Sequence, residues 1–322
     1  MLEPSFIRET PAEQLMILAR GCSADMFVCL KVLFSSDSID DILLKEFNAL
    51  EAPFSDVYRT TAGLEAAGAI PHRQMVLRVS GVLASLVAPS LDVLEGLVEE
   101  QDREASLGIY VWRTRHEVIA RILSEYKYSD PHDLYELLSR AVETANPTYF
   151  EELRSLREMC NAARGISALP DAPDRISLYR KIIQAVPTER VARHRLVSEL
   201  IDEERLGDAE AELKNAIDEV RLDPPLQRYR VRILIARSRA GGLADDDRKA
   251  MLKTAVSEAE RAMQRFPNSK YMYFVAADVA EEWFYTTGER GLLEWARLAL
   301  EKAERDLLDP DISDRRTRLA RL

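Results

Sequence analysis

The chain has 322 residues, 47 % of them apolar and 31 % charged, a balance that excludes a disordered chain and allows a sizeable core. Its net charge of −11 works against a non-specific grip on nucleic acid or anionic lipid. The longest uncharged run, Val79 to Leu91, has 13 residues, too short to cross a bilayer, and the N-terminus carries acids and a proline where a signal peptide needs a basic patch and an apolar run.

Residues 11 to 33 predict two short helices, with Pro11 in the first turn and Gly21 as a break. Ser38 is placed to cap a third, with Asp40 and Asp41 in its first turn. Ser55 is placed to cap the next, which Gly68 stops. Pro71 opens a further helix, and Pro89 and Ser90 open one over Leu91 to Gln101. The cysteines, Cys22, Cys29 and Cys160, have no metal-ligand spacing and read as reduced thiols of a cytoplasmic protein. Cys22 and Cys29 share a helical face as small apolar fillers.

From Gly108 to Leu123 the period changes. Ile109 to Trp112 alternate as a strand does. Val118, Ile119, Ile122 and Leu123 then fall at helical spacing, after Arg113, Thr114, Arg115 and His116. Three helices, a strand and a further helix follow the order of a winged-helix domain, with the second strand of the wing inferred. Two more helices, broken at Asn146-Pro147 and Gly165, lead to a Pro-rich linker at 167–174.

Beyond the linker the pattern repeats. Prolines at 187, 224, 267 and 310 are read as closing helical stretches about every 40 residues, a period that means an α-solenoid of helix pairs. Small residues recur on the second helix of each pair: Ala209, Leu213 and Ala216, then Ala255, Ala259 and Ala262, then Trp295, Ala299 and Ala303. Leu196, Leu200, Leu234, Tyr273 and Phe274 fill the space between neighbours. Leu206 to Ile217 resembles the second half of a tetratricopeptide repeat. The basic stretch from Asp311 to Leu322 either caps the array or continues into a longer chain.

Chemistry-bearing motifs are absent. No glycine is followed by lysine, which excludes a P-loop. There is no G-x-G-x-x-G, G-x-S-x-G, H-E-x-x-H or C-x-x-C,. His72, His116, His132 and His194 have no partners at ligand spacing, and His194 reads as a solvated position. Two features stand out. Arg113, Arg115 and His116 gather donors at a strand-to-helix junction, where anions bind; the competing reading is a solvated turn that caps the helix. Tyr271, Tyr273, Trp283 and Tyr285, with Phe274, Phe284 and Trp295, offer aromatic surface for a protein partner; the competing reading is inter-repeat core.

The stretch from Ile42 to Val82, with Glu46-Phe47, Tyr58, Gly68, Ile70 and Pro71, resembles the region after the ATPase core of STAND-class signalling NTPases. The run Tyr110 to His116 with Ile119-Ala120 is similar to the "Arg-His, then Ile-Ala" signature that ends the winged helix of bacterial members. The resemblance covers roughly residues 1 to 128, and the helical repeats follow in the family's order. It implies an all-α chain: a helical lid over 1–52, a winged-helix-like domain over 53–128, connecting helices over 129–170 and a tetratricopeptide-like α-solenoid over 171–322. It also implies that Arg113, Arg115 and His116 contact nucleotide phosphate in a complete parent, with ATP or ADP and Mg²⁺ present only where the family's ATPase domain precedes them. The P-loop core is missing here, so the expected function is that of a non-catalytic regulatory and sensing module. It would bind a protein trigger through its repeats, in a switch of the kind used in prokaryotic antiphage defence; the complete parent would be able to form homo-oligomers. The alternative is a winged-helix DNA-binding regulator. Asp92, Glu95, Glu99, Glu100 and Asp102, in the segment read as its third helix, would repel phosphate.

Overall fold

The computed structural model describes residues 8–21, 29, 36–161 and 163–322. Among them are sixteen α-helices and two short strands. The chain divides into two units, Met1–Val186 and Pro187–Leu322. The division falls at Pro187, not at the expected linker. That Pro-rich stretch is fastened down: Ile166 and Leu169 are buried, and the Arg175 guanidinium donates to the carbonyls of Leu169 and Pro170, each at 2.7 Å.

The first unit opens with α1 (Pro11–Met16), held by a capping box between Thr10 and Glu13, and a π-helical turn, Ile17–Gly21. Cys22, Met26, Phe27, Leu30, Val32 and Leu33 lie outside the described residues. Cys160 is buried and in no disulfide, its thiol donating to the Leu156 carbonyl at 3.3 Å. α2 (Ser36–Asn48) already includes Ser38, so Ser38 is not its cap. Nor does Ser55 cap α3 (Phe54–Ala66), which starts one residue earlier with Pro53 at the N-cap and no side-chain cap. Gly68 does end that helix, in the left-handed region at φ +84,.

α3 is the hub of this unit. Val57, Tyr58 and Thr60 to Leu64 are all buried, so it is covered around most of its circumference. It packs against α4 (Arg73–Ser80), strand β2 (Ile109–Thr114), α6 (Glu117–Lys127) and α7 (Pro131–Thr144). Gly63 makes the closest of these contacts possible: a Cβ there would lie 2.5 Å from Leu137 Cδ2 and 2.6 Å from Tyr128 Cε2. α6 turns Val118, Ile119, Ile122 and Leu123 inward, as their spacing predicts, and Ala120 with them.

The expected helix over Leu91 to Gln101 is overturned. α5 (Val87–Val93) stops early, Gly96 takes φ +74, and β1 (Val98–Glu104) pairs antiparallel with β2, Val98 opposite Thr114 and Glu100 opposite Trp112. The strand paired with β2 is therefore VEEQDRE, an acidic segment without strand propensity. Tertiary pairing overrides that weak local preference. Trp112 is fully buried, donates its indole N–H to Glu100 at 2.7 Å, and donates its backbone N–H to the Pro71 carbonyl at 2.8 Å. α8 (Phe150–Met159) and α9 (Ala172–Ala185) complete the unit. Ser155 ties α8 to the backbone of Ile70, donating to its carbonyl at 2.6 Å and accepting its N–H at 3.0 Å.

The second unit is a run of helix pairs: α10 (Arg190–Asp202) with α11 (Leu206–Val220), α12 (Pro224–Ser238) with α13 (Asp245–Arg265), and α14 (Lys270–Thr287) with α15 (Gly291–Leu307), then α16 (Pro310–Leu319). Each helix packs on the next, and α10, α12, α14 and α16 also contact in succession. Pro224 and Pro310 open helices rather than closing them, because a proline in the first turn lacks only an N–H that would be unbonded anyway,. The small-residue stripe holds in α11 and α13, where Ala209, Ala216, Ala255, Ala259 and Ala262 are fully buried. In α15 Ala303 is buried as expected, but Ala296 and Leu300 face inward in place of their neighbours, while Trp295 and Ala299 are only half-buried. Ile312 and Leu319 of α16 join that core.

Candidate functional site

Helices recurring in one orientation repeat a face as well as a core. In the second unit, one side of α12 and α14 and the end of α10 line a groove of about 630 Å³. On α14 the lining residues are Asp278, Glu281, Glu282 and Tyr285, spaced three and four apart on one face. On α12 they are Arg232, Ile235, Ala236 and Arg239, with small Ala240 and Gly241 beyond the helix end. Ion pairs step from helix to helix across this face. Arg232 meets Asp202 of α10 at 2.8 Å. Arg239 meets Glu282 at 2.6 Å. Arg315 of α16 meets both Asp278, at 2.5 Å, and Glu281, at 2.9 Å. Burial pushes the Asp278 carboxyl up, and the adjacent Glu281 adds to this, against the opposite pull of Arg315 and Arg228.

The four expected partner-binding aromatics divide. Tyr285 is 68 % exposed on the wall of the groove. Tyr271 is 49 % exposed, with its ring edge-on to Phe274 and does not line the groove. Tyr273 and Trp283 are buried. Tyr273 donates its hydroxyl to the Pro267 carbonyl at 3.0 Å, and Trp283 donates its indole N–H to Glu289 at 3.2 Å. Those two belong to the core.

The junction residues Arg113, Arg115 and His116 come together in the first unit, in a cleft of about 330 Å³ that Arg164, Glu65 and Glu117 also line. Each has a task within the chain. His116 caps α6, its Nδ1 accepting the Val118 N–H at 3.1 Å. Arg115 pairs with Glu46 at 2.6 Å and reaches the Gly96 carbonyl. Arg113 stands opposite Glu99 in the hairpin and lowers the cost of ionising Glu65. Burial nonetheless raises the Glu65 carboxyl above its ordinary value, although it accepts both the backbone N–H and the hydroxyl of Thr114.

Sequence spacing misses two histidine pairs because their partners are remote. His194 is not solvated: its Nε2 sits 2.9 Å from Asp223. His72 is buried with Glu152 at 2.6 Å, and Arg78 reaches the other carboxylate oxygen. Among the described residues no three His, Cys, Asp or Glu side chains are grouped to hold a metal ion. No single helix among them is long and apolar enough to cross a membrane; a pair that passes together, Arg73–Ser80 with Ala84–Val93, is bent by 115°. No family model, curated protein or solved structure matches the chain.

Proposed function

We propose that this chain is the regulatory and sensing part of a STAND-class switch, in which the second unit is a tetratricopeptide-like solenoid that recognises a protein trigger. The observation that carries the reading is the groove along α12 and α14, with exposed Tyr285 on its wall. A solvent-facing tyrosine beside small residues is the material of a recognition surface, because its ring offers contact area at little cost in side-chain entropy. The first unit is the winged-helix-like relay, its wing formed by β1 and β2. Arg113, Arg115 and His116, with Arg164 beside them, line a cleft that would face phosphate once an ATPase core with bound ATP or ADP and Mg²⁺ is joined to it. The chain itself is not an enzyme in this reading. DNA binding is disfavoured by Glu99, Glu100, Asp102 and Glu104 on the wing strand, since such charges repel a phosphate backbone.

A photo-crosslinking amino acid placed at 285 tests the reading, with the same group at exposed Tyr126 as control. A protein captured from position 285 and not from 126 supports it. Equal capture at both, or steady ATP turnover by the purified chain, removes it.

A further inference from the structure

The proposed groove carries more negative charge than its own arginines neutralise. Its lining has five carboxylates, Asp202, Glu204, Asp278, Glu281 and Glu282, against two guanidinium groups, Arg232 and Arg239. Those two are matched one to one, with Asp202 and Glu282. Asp278 and Glu281 share a single arginine, Arg315, which comes from outside the groove. Glu204 is exposed and has no ion pair among the described residues, at a turn where its backbone is left-handed with φ 56. Two carboxylate charges are therefore left over. Arg228 also acts on Asp278, yet burial and Glu281 still hold that carboxyl above its ordinary range. A group held so gains from any further cation brought to it.

The excess lies beside an aromatic face. Tyr285 is on the same side of α14 as Asp278 and Glu281 and is open to solvent. Carboxylates next to an exposed ring form a receptor for a guanidinium or ammonium group, which takes the ring by cation–π attraction and the carboxylates by charge-assisted hydrogen bonds. Ile235, Ala236 and Gly241 leave room for main chain and alkyl stem alongside,.

Resting on the reading of this groove as a protein-binding surface, we infer that its occupant is a basic peptide segment of the partner, with an arginine or lysine side chain seated between Tyr285 and the Asp278–Glu281 pair. Asp202 and Glu282 stay neutralised by Arg232 and Arg239. The selectivity comes from the two unmatched charges.

Fluorescence anisotropy of the full chain with three labelled nonapeptides tests this. The peptides are identical except for two central residues, both Arg, both Gln or both Glu. The Arg peptide is expected to bind most tightly and to weaken as salt is raised. Asp278→Asn and Glu204→Gln should each weaken it about threefold to fivefold, the range of a solvent-accessible ion pair. Tyr285→Ala should weaken it further. Glu204→Gln removes a charge with no ion pair among the described residues, whereas Asp278→Asn leaves Arg315 its bond to Glu281, and circular dichroism of each variant checks that the fold is kept. Equal binding of the Gln and Arg peptides, still sensitive to Tyr285→Ala, overturns the basic class and leaves the groove as a peptide site. Arg-peptide binding indifferent to all three substitutions overturns the placement. Binding of none of the peptides at millimolar concentration overturns the inference and the proposed groove together.

Discussion

His72 Nδ1 lies 2.6 Å from a carboxylate oxygen of Glu152, 80 residues away in sequence, with both side chains shut off from water. The other oxygen of Glu152 accepts from Arg78 and from the backbone N–H of Asn146, the latter at 2.6 Å. One carboxylate thus fastens α4 and the turn before α8 to a single point. Removing one member of such a buried set leaves the others unsatisfied, which costs about 3–5 kcal/mol. Glu152→Ala should lower the stability of the first unit by that amount in urea denaturation. A loss below about 1 kcal/mol would show that water replaces the carboxylate.

Acid should act on two carboxylates of this unit in opposite senses. Burial alone would push Glu152 up, but the bonds from His72, Asn146 and Arg78 outweigh it and hold the carboxyl below its ordinary value. Its stabilising contribution is therefore present above the ordinary carboxylate range and is lost as pH falls through the lowered folded value. Glu65 is raised by burial, so the folded state favours its protonated form and its charge destabilises the fold once pH rises past the carboxylate range. A Gln oxygen can still accept from Thr114. Glu65→Gln should therefore leave stability at pH 7 equal to or above that of the parent, and the advantage should vanish near pH 4. Denaturation midpoints at the two pH values decide this; a clear loss at pH 7 would refute it.

Two glycines should respond to alanine with opposite signs. Gly165 has φ +65, and a Cβ there would press on the carbonyl oxygens of Met159 and Ala67, the latter at 2.8 Å. Backbone strain of about 1–2 kcal/mol adds to the clash, so Gly165→Ala should destabilise by at least that much. Gly207 lies in α11 with nothing within 4 Å of the added atom. Gly207→Ala should stabilise by up to about 0.5 kcal/mol, at or below the low end of the mid-helix difference between the two residues, because the position is in the first turn. Thermal midpoints of both variants test the pair, and the same sign for both would contradict it.

Trp112 reports on the hairpin. Its ring is buried and its indole N–H donates to Glu100, which also receives Arg73 at 3.1 Å. Trp112→Phe removes the bond and keeps most of the ring. The expected loss is about 1–3 kcal/mol, the range for unmaking a buried bond to a charged group. Trp112→Ala should cost more, about 3–5 kcal/mol. If the two variants were equally stable, the ring would contribute no packing of its own.

Local periodicity identified β2, α6 and the repeating pairs, because Val111, Ile119 and Ala259 sit in patterns that one face of one element explains. It failed over Val98–Glu104, whose single buried residue, Val98, says nothing of a strand. What makes it one is Trp112 and the pairing across the hairpin, a contact no window of that segment contains. Pro224 and Pro310 do not betray their place by type alone, because a proline marks a helix start as readily as an end,. In the groove, Tyr285 was legible as an aromatic but not as exposed, since Trp283 two residues earlier has a similar look and points into the core. Asp202, Arg232, Arg239 and Arg315 were invisible as a set, because each pairs with a residue of the next helix pair.

The ion pairs along α10, α12, α14 and α16 join one helix pair to the next. Each adds little to stability at the surface. Their strength falls as ions screen them. In concentrated salt, successive helix pairs are therefore held to one another by apolar contacts such as those of Val231 and Ile235 with Val275 and Val279 more than by charge.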